Sequence, residues 1–268
     1  MNDQEPSGYE NEPEEQFSPL PPELYCSFFD LEMATQLDDC RYYAALLKNR
    51  QCRSVLELGC GTGRIVEYLS AEGYRAVGID NSPDMLLYQR TRRQSPVAEM
   101  DMGALGFTRQ SFDAALIAHN TLNLLGEKQA IVCCLQEVRN VLVRDGMLVA
   151  QLFAVTAELR EQAGRRLFQF ALFDTPDNGK LVKETIRTYL PESGLLLLEE
   201  RYKRRSYTNP ALNENYRQTY SLAAFSPATW LQIIRSAGFA VVSQHSGYRA
   251  EPFLPGTDSS LLVSARPL

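Results

Sequence analysis

The chain has 268 residues, of which 44% are hydrophobic and 22% charged, a composition typical of a globular protein. Its net charge of -6 comes entirely from residues 1–22, which hold six acidic residues and no basic one. The remainder is electrically neutral, which argues against nonspecific nucleic-acid binding. No apolar run approaches the ~18 residues of a membrane span, and the acidic N-terminus lacks a signal-peptide pattern. We therefore expect a cytoplasmic protein.

The six cysteines show neither metal-ligand spacing nor the regular pairing of a disulfide framework. Cys133 and Cys134 are adjacent on a predicted helix and are typical of small core residues. We therefore expect reduced cysteines and no metal site.

Residues 1–22 are rich in Pro and Glu, which predicts a disordered acidic tail. A helix is predicted over 32–48, and from 53 to 154 short apolar strands alternate with helices. The predicted strands are 54–59, 75–80, 97–101, 112–119 and 146–154, and the predicted helices are 63–73, 82–93 and 127–143. This alternation is typical of a parallel sheet that is buried on both faces.

The pattern then changes, because four strand-like segments follow with no helix between them. These segments are 167–174, 181–190, 195–207 and 214–224. A helix at 226–238 and two strands at 239–248 and 260–267 complete the chain. We predict a Rossmann-like α/β domain (23–154 and 225–268) with a mostly parallel seven-stranded sheet and an antiparallel last strand. Residues 155–224 are predicted to form an inserted antiparallel cap.

The stretch VLELGCGTGR predicts a strand, a glycine-rich turn and a helix. Its glycines, Gly59, Gly61 and Gly63, are spaced G-x-G-x-G, and Arg64 stands where a dinucleotide fingerprint has its last glycine. Glu57 lies two residues before the first glycine, where a carboxylate would repel a pyrophosphate. The loop therefore suits a ligand with a positive centre and argues against an NAD-dependent oxidoreductase.

Two further carboxylates end the next predicted strands. Asp80 follows Gly63 by 17 residues, at a distance typical of an acid that binds ribose hydroxyls, and Asp101 ends the third strand. Because the carboxyl ends of parallel strands meet at one crevice, these side chains predict a ligand with a ribose, a base and positive charge.

In these motifs the chain resembles the class I S-adenosylmethionine-dependent methyltransferases. VLELGCGTGR resembles their first motif, GID (78–80) their second, MDM (100–102) their third and FDAALIAHNTLNLL (112–125) their fourth. The resemblance extends over about residues 24–154 and 224–266. The layout of the cap is similar to that of glycine N-methyltransferase-like and amino-sugar N-methyltransferase-like enzymes, the small-molecule branch.

The resemblance implies a set of cofactor-binding residues for S-adenosylmethionine. They are Tyr25, Glu57, Gly59, Cys60, Gly61, Gly63, Asp80, Asn81, Met85, Asp101, Met102 and Ala118. For two of them a purely structural role remains an alternative. Met85 could be a core residue of its helix, and Tyr25 could pack the N-terminal segment against the domain.

Methyl transfer is an in-line displacement in which the cofactor carries the reactive group, so a catalytic motif is not required. His119 is the candidate general base, since it ends the fourth strand beside the expected methyl group. The alternative is that it binds a backbone carbonyl or packs at the pocket rim. The other histidine, His245, lies in a late strand away from the crevice.

The expected reaction is methyl transfer to nitrogen or oxygen of a small molecule, with a possible homodimer formed through the cap. The tetrapeptide N/D-P-P-Y/F, which marks amide or base methylation, is absent, since HNTL stands at 119–122. Two alternatives remain: a cofactor-binding scaffold subunit without catalysis, and an RNA-modifying methyltransferase.

Overall fold

The computed structural model describes residues 15–268. Most of the predicted acidic tail, residues 1–14, lies outside this range. Helices α1–α7 are Pro22–Met33, Asp38–Asn49, Arg64–Ala71, Pro83–Arg92, Lys128–Val141, Ala157–Glu161 and Pro227–Ser236. Strands β1–β12 are Ser18–Pro19, Ser54–Leu58, Arg75–Asp80, Val97–Glu99, Phe112–Ile117, Leu142–Phe153, Arg166–Thr175, Gly179–Leu190, Leu195–Ser206, Glu214–Ala223, Phe239–His245 and Ser260–Pro267.

Seven strands form the main sheet in the order β11-β12-β6-β5-β2-β3-β4. The strands from β6 to β4 are parallel, whereas β12 runs antiparallel to both of its neighbours. The predicted fold class is therefore confirmed. The strand order reverses between β2 and β5, which places a ligand crevice at the carboxyl ends of these two strands.

Strand β2 is at the centre of the core, and all five of its residues are buried. Alternate side chains point to opposite faces, so Leu56 and Leu58 pack into the cluster with Trp230, whereas Val55 packs into the cluster with Tyr43. Burying one such aliphatic side chain stabilises the fold by about 1.5–3 kcal/mol. A strand buried on both faces holds the glycine turn that follows it in a fixed position.

The remaining strands form the cap sheet, in the order β1-β10-β9-β8-β7. Strands β7 to β10 are the predicted antiparallel meander. Strand β1 pairs in parallel with β10, and the Leu20 amide donates to the Arg217 carbonyl at 3.0 Å. Residues 18–22 of the predicted tail therefore belong to the ordered fold, because the edge of β10 offers them free backbone groups.

The predicted helix over 32–48 is wrong in its boundaries. Helix α1 begins at Pro22 and ends at Met33, and α2 begins at Asp38. The two helices pack on different partners: Phe28 of α1 stacks on Tyr202 of the cap with ring centroids 5.3 Å apart, and Tyr43 of α2 packs on the main sheet. The short helix α6 was also not predicted.

In residues 15–268, every helix is too short or too polar to cross a membrane.

Candidate functional site

The glycine loop joins β2 to α3 and has a backbone that glycine alone adopts easily. Gly59, Gly61 and Gly63 have φ angles of 68°, 53° and 77°. A Cβ atom on Gly59 would collide with the Thr121 side chain, and one on Gly63 would lie 2.8 Å from Gln89 Cγ. The loop is therefore wedged between α4 and the turn after β5, so its backbone lines the crevice closely.

Glu57 is the buried carboxylate of this site. Its side chain is 4% exposed, and burial raises its pKa to about 8, although the charge of Arg64 acts in the opposite direction. Its Oε2 atom has no hydrogen-bond partner among residues 15–268. An unpartnered buried carboxylate costs free energy, and a positive ligand group would remove that cost.

Arg64 joins two other charged residues behind the glycine loop. Its guanidinium pairs with Asp39 at the start of α2, and Nη2 lies 2.9 Å from His119 Nε2. Although burial acts in the opposite direction, hydrogen bonds from His119 and Arg64 hold the pKa of Asp39 below its usual range. This cluster ties α2, α3 and the end of β5 together. Asp39 was not predicted from the sequence.

The free polar atoms beside the loop fit an α-amino acid group. Glu57 Oε2 and Arg64 Nε are buried and have no partner in the described part of the chain. An ammonium group can donate to the first, and a carboxylate can accept from the second. The methionine end of S-adenosylmethionine carries both groups, so these residues fit the expected cofactor.

Asp80 connects the glycine loop to the segment after β3. Its Oδ2 accepts from the Gly61 amide at 2.7 Å and its Oδ1 from the Ser82 amide at 2.9 Å. Because each carboxylate oxygen has a further lone pair, ribose hydroxyls can still donate to it. Asn81 beside it is exposed, and Met85 on α4 is buried with 8% exposure.

The other predicted cofactor residues lie at the ends of neighbouring elements. Asp101 is exposed and its Oδ1 accepts from the Gly103 amide at 2.7 Å, while Met102 is half-buried. Ala118 is buried at the end of β5, and the Cys60 amide donates to the Ile79 carbonyl at 2.9 Å. The fold brings these residues to one edge of the sheet, and their contact with the cofactor stays a prediction.

Tyr25 lies on α1, between the cap and the main domain. Its side chain is half-buried, and burial together with the charges of Glu200, Glu32 and Asp80 raises its pKa above the usual value. Tyr25 is therefore close enough to Glu200 of the cap, Glu32 of α1 and Asp80 at the end of β3 for their charges to act on its hydroxyl. This position is consistent with the prediction that Tyr25 covers the cofactor.

His119 has a constrained position at the end of β5. Its φ angle is 49°, and its amide donates to Gln151 Oε1 at 2.9 Å. Its Nε2 atom lies 2.9 Å from Asp39 Oδ2, so only Nδ1 is available to a substrate proton. The catalytic role of His119 stays a prediction, and these contacts equally suit a positioning role. His245 contacts Tyr42 Oη at 3.3 Å instead.

The inner face of the cap sheet carries a polar network that was not predicted. Glu200 is 4% exposed and accepts hydrogen bonds from four side chains. The donors are Lys183 Nζ at 2.8 Å, Gln218 Nε2 at 2.8 Å, Tyr202 Oη at 3.0 Å and Tyr220 Oη at 3.0 Å. Although burial acts in the opposite direction, the positive charge of Lys183 lowers the pKa of Glu200.

The same network connects the cap to α1. Glu32 of α1 accepts from Lys183 Nζ at 2.7 Å, and its Oε1 lies 3.1 Å from Tyr202 Oη, whose single hydroxyl hydrogen is shared between Glu32 and Glu200. Arg187 belongs to the same face by strand register, and its Nε is buried without a partner in residues 15–268. The cap thus presents charged and phenolic groups on the face that packs against α1.

Comparison with known proteins agrees with this geometry. Residues 55–146, from β2 to the beginning of β6, match the family described as "Methyltransferase domain". Residues 55–146 therefore match a methyltransferase domain, as the resemblance to the class I S-adenosylmethionine-dependent methyltransferases predicts. The expected enzyme class and the expected cofactor, S-adenosylmethionine, are confirmed at the level of this domain.

The chain has two informative curated relatives. It is 37% identical over 143 residues to an 18S rRNA (guanine-N(7))-methyltransferase from Bos taurus, which covers 48% of this chain and 51% of the relative. It is 35% identical over 100 residues to the putative methyltransferase YqeM of Bacillus subtilis, which covers 35% of this chain and 40% of the relative. The chain spans about half or less of the length of these relatives.

Solved structures resemble this chain over nearly its full length. DesVI from Streptomyces venezuelae has a TM-score of 0.76 and 16% identity, and the match covers 92% of this chain and 98% of DesVI. CalS10, an amino pentose methyltransferase from Micromonospora echinaspora, has a TM-score of 0.71 and 19% identity, and the match covers 94% of this chain and 100% of CalS10. At these identities the likeness establishes the fold, cap included.

Proposed function

We propose that this protein transfers the methyl group of S-adenosylmethionine to a nitrogen or oxygen atom of a small molecule. The acceptor would bind between the glycine loop and the inner face of the cap sheet. The observation that carries this proposal is the polar band on that face, centred on Glu200 and Tyr220. It lies between two apolar clusters, one around Leu196 and one around Phe28.

When bound, the cofactor supplies an electrophilic methyl group on a sulfonium, and the protein's part is positioning. Glu57 and Arg64 would hold the amino-acid end, and Asp80 the ribose. Helix α1, held to the cap through Glu32, would exclude water from the reacting atoms. If the attacking nitrogen or oxygen of the substrate must lose a proton, the Nδ1 atom of His119 would take it up.

The polar band supports a small and hydrophilic acceptor. Tyr220 Oη and Gln218 Nε2 are on the inner face, next to Glu200, and each has hydrogen-bonding capacity beyond its bond to that carboxylate. Amino or hydroxyl groups of an acceptor would find both donors and acceptors there. Structural neighbours that act on amino sugars, such as the amino pentose methyltransferase CalS10, have the same overall fold.

Release of S-adenosylhomocysteine over a panel of small amines, phenols and amino sugars tests the proposal. We expect turnover with a member of this panel, and Tyr220→Phe is expected to raise KM for it about tenfold with little change in kcat, since a lost hydrogen bond is worth about 1–1.5 kcal/mol. Tyr207→Phe, at an exposed tyrosine, is the matched control. Cofactor binding without turnover on any acceptor would instead favour the scaffold alternative.

A second candidate is methylation of RNA, which the similarity to the 18S rRNA methyltransferase favours. The similarity covers about half of either chain. Turnover on structured RNA transcripts, with none on the small-molecule panel, would select this candidate over the first.

We also propose that the outer face of the cap forms a homodimer. Phe168, Phe170 and Leu172 on β7 are 60%, 68% and 57% exposed, and β7 is the free edge strand of its sheet. Three large apolar side chains on an open edge are typical of an interface. We propose a second copy of this chain as the partner. Strand β7 of one copy can pair antiparallel with β7 of the other, which brings the same three side chains of both copies into contact.

Phe170→Glu is expected to convert the dimer to a monomer. The substitution places a charge in the centre of the proposed interface, where burying it without a partner is costly. Light scattering after gel filtration measures the mass, with Leu87→Glu, at a 64% exposed leucine of α4, as the control that stays dimeric. A wild-type chain that is monomeric at about 100 µM, well above typical dimer dissociation constants, would contradict the dimer.

A further inference from the structure

Four arginines converge at the edge of the main sheet that lies opposite the glycine loop. They are Arg109 before β5, Arg139 at the end of α5, Arg144 in β6 and Arg266 in β12, and all four are exposed. They line one cleft of about 680 Å³. That volume lies within the range of small-molecule sites.

The arginine side chains of this cleft outnumber its negatively charged groups. None of the four arginines forms an ion pair with an acidic side chain of residues 15–268. Asp145 is the one acidic side chain among the residues that line the cleft. Four guanidinium groups on a chain whose net charge is -6 are therefore a local concentration of charge.

The backbone holds these arginines in defined positions. The Gln110 amide donates to the Asn140 carbonyl at 3.1 Å, which fixes the turn that carries Arg109 against the end of α5. Arg139 Nη2 donates to a main-chain oxygen of Leu268, the last residue of the sequence, at 3.1 Å. A Cβ atom on Gly238 would lie 2.9 Å from Arg139 Nε, so the guanidinium occupies space that any other residue would fill.

We propose that this cleft binds a ligand with two or more neighbouring phosphate groups. Planar guanidinium groups bind phosphate oxygens through paired hydrogen bonds, and several of them around one cleft match several phosphates. The site is separate from the methyl-transfer crevice, because β5 and β6 present their amino ends here and their carboxyl ends there. A six-residue strand such as β5 separates the two edges by about 20 Å. The ligand would therefore act as a regulator or a docking group rather than as the methyl acceptor.

Calorimetric titration of the full chain with inorganic triphosphate tests this site without any methyl transfer. We expect one binding event that weakens about tenfold in Arg144→Gln and in Arg266→Gln, and that weakens as salt is raised. Arg90→Gln, at an exposed arginine of α4 outside the cleft, is the matched control and is expected to bind as the wild type does. S-adenosylmethionine binding is expected to be unchanged in both cleft variants. A cleft that binds no triphosphate would therefore contradict this proposal and leave the proposed methyl transfer untouched.

A second arm of the experiment distinguishes a small phosphorylated ligand from a nucleic-acid backbone. A twelve-nucleotide single-stranded RNA replaces triphosphate in the same titrations. If the RNA binds more tightly than triphosphate and this binding is lost in both cleft variants, the natural ligand is a nucleic acid. If the RNA binds as tightly as triphosphate or more weakly, the natural ligand is a small phosphorylated molecule. The proposal is overturned if neither probe binds, or if both bind Arg144→Gln and Arg266→Gln as they bind the wild type.

Discussion

Glu57→Gln is expected to weaken S-adenosylmethionine binding by about 100-fold or more without destabilising the fold. Removing one partner of a buried charge pair costs about 3–5 kcal/mol, and each 1.4 kcal/mol is a factor of ten. The variant keeps the shape of the side chain and removes only its charge. In the protein without cofactor the raised pKa keeps Glu57 protonated at neutral pH and its Oε2 atom has no partner, so glutamine leaves nothing unpaired that was paired before. Calorimetry gives the affinity, and urea denaturation gives the free energy of unfolding.

The raised pKa of Glu57 adds a pH dependence to the same prediction. Since this pKa is about 8 in the folded protein and 4.5 in the reference state, the folded protein holds a proton that the unfolded chain releases between these values. Its contribution to stability is therefore full below pH 4.5 and is lost as pH rises toward 8. The wild type should lose stability over this window relative to Glu57→Gln, and cofactor binding should release a proton.

Glu72→Gln, at an exposed carboxylate just beyond α3, is the control for these measurements, and its cofactor affinity and pH profile should match the wild type. If Glu57→Gln binds the cofactor as tightly as the wild type, the carboxylate has no part in holding the positive group. Its burial would then be a structural feature of the loop only.

Gly59→Ala is expected to destabilise the protein by about 2–5 kcal/mol and to abolish cofactor binding. A left-handed backbone costs an alanine about 1–2 kcal/mol, and overpacking against Thr121 adds about 1–3 kcal/mol. Gly73→Ala is the matched control, because Gly73 has a φ of 89° and no atom within 4 Å of the added Cβ. It should show the backbone cost alone. Urea denaturation measures both variants.

Thr121→Ser separates the collision from the backbone strain. The atom nearest to the added Cβ is Thr121 Cγ2, which serine lacks, so the double variant should recover part of the lost stability. Recovery in the double variant, with no gain from Thr121→Ser alone, would assign the difference to the collision. A Gly59→Ala variant as stable as Gly73→Ala would mean that the loop moves freely away from Thr121.

The sequence predicted the main sheet well because its elements are defined by local patterns. The apolar strands around Leu56 and Leu116, and the helices between them, alternate with the period of a parallel α/β fold. The glycine loop was predicted from three glycines and one acidic residue within a stretch of seven residues. The meander of the cap followed from turn signals such as PDNG at 176–179.

The remaining features depend on contacts between residues far apart in the chain. Arg64 was a departure from the dinucleotide pattern in the sequence, and its partner Asp39 is 25 residues away on a different helix. The network of Glu200 joins β8, β9 and β10 through side chains whose register no local pattern defines. The break between α1 and α2 arises because the two helices pack on different sheets.

Titration of S-adenosylmethionine into the wild type and Asp80→Ala tests the central claim, a cofactor site at the carboxyl ends of β2 and β3, most directly. We predict one site per chain in the wild type and an affinity at least tenfold lower in the variant. Asp80 supports the loop at Gly61 and is placed to accept from the ribose, and a hydrogen bond to a charged group is worth about 1.5–3 kcal/mol. NAD should give no binding to either protein. Absence of S-adenosylmethionine binding, equal binding by Asp80→Ala, or tighter binding of NAD would contradict the account.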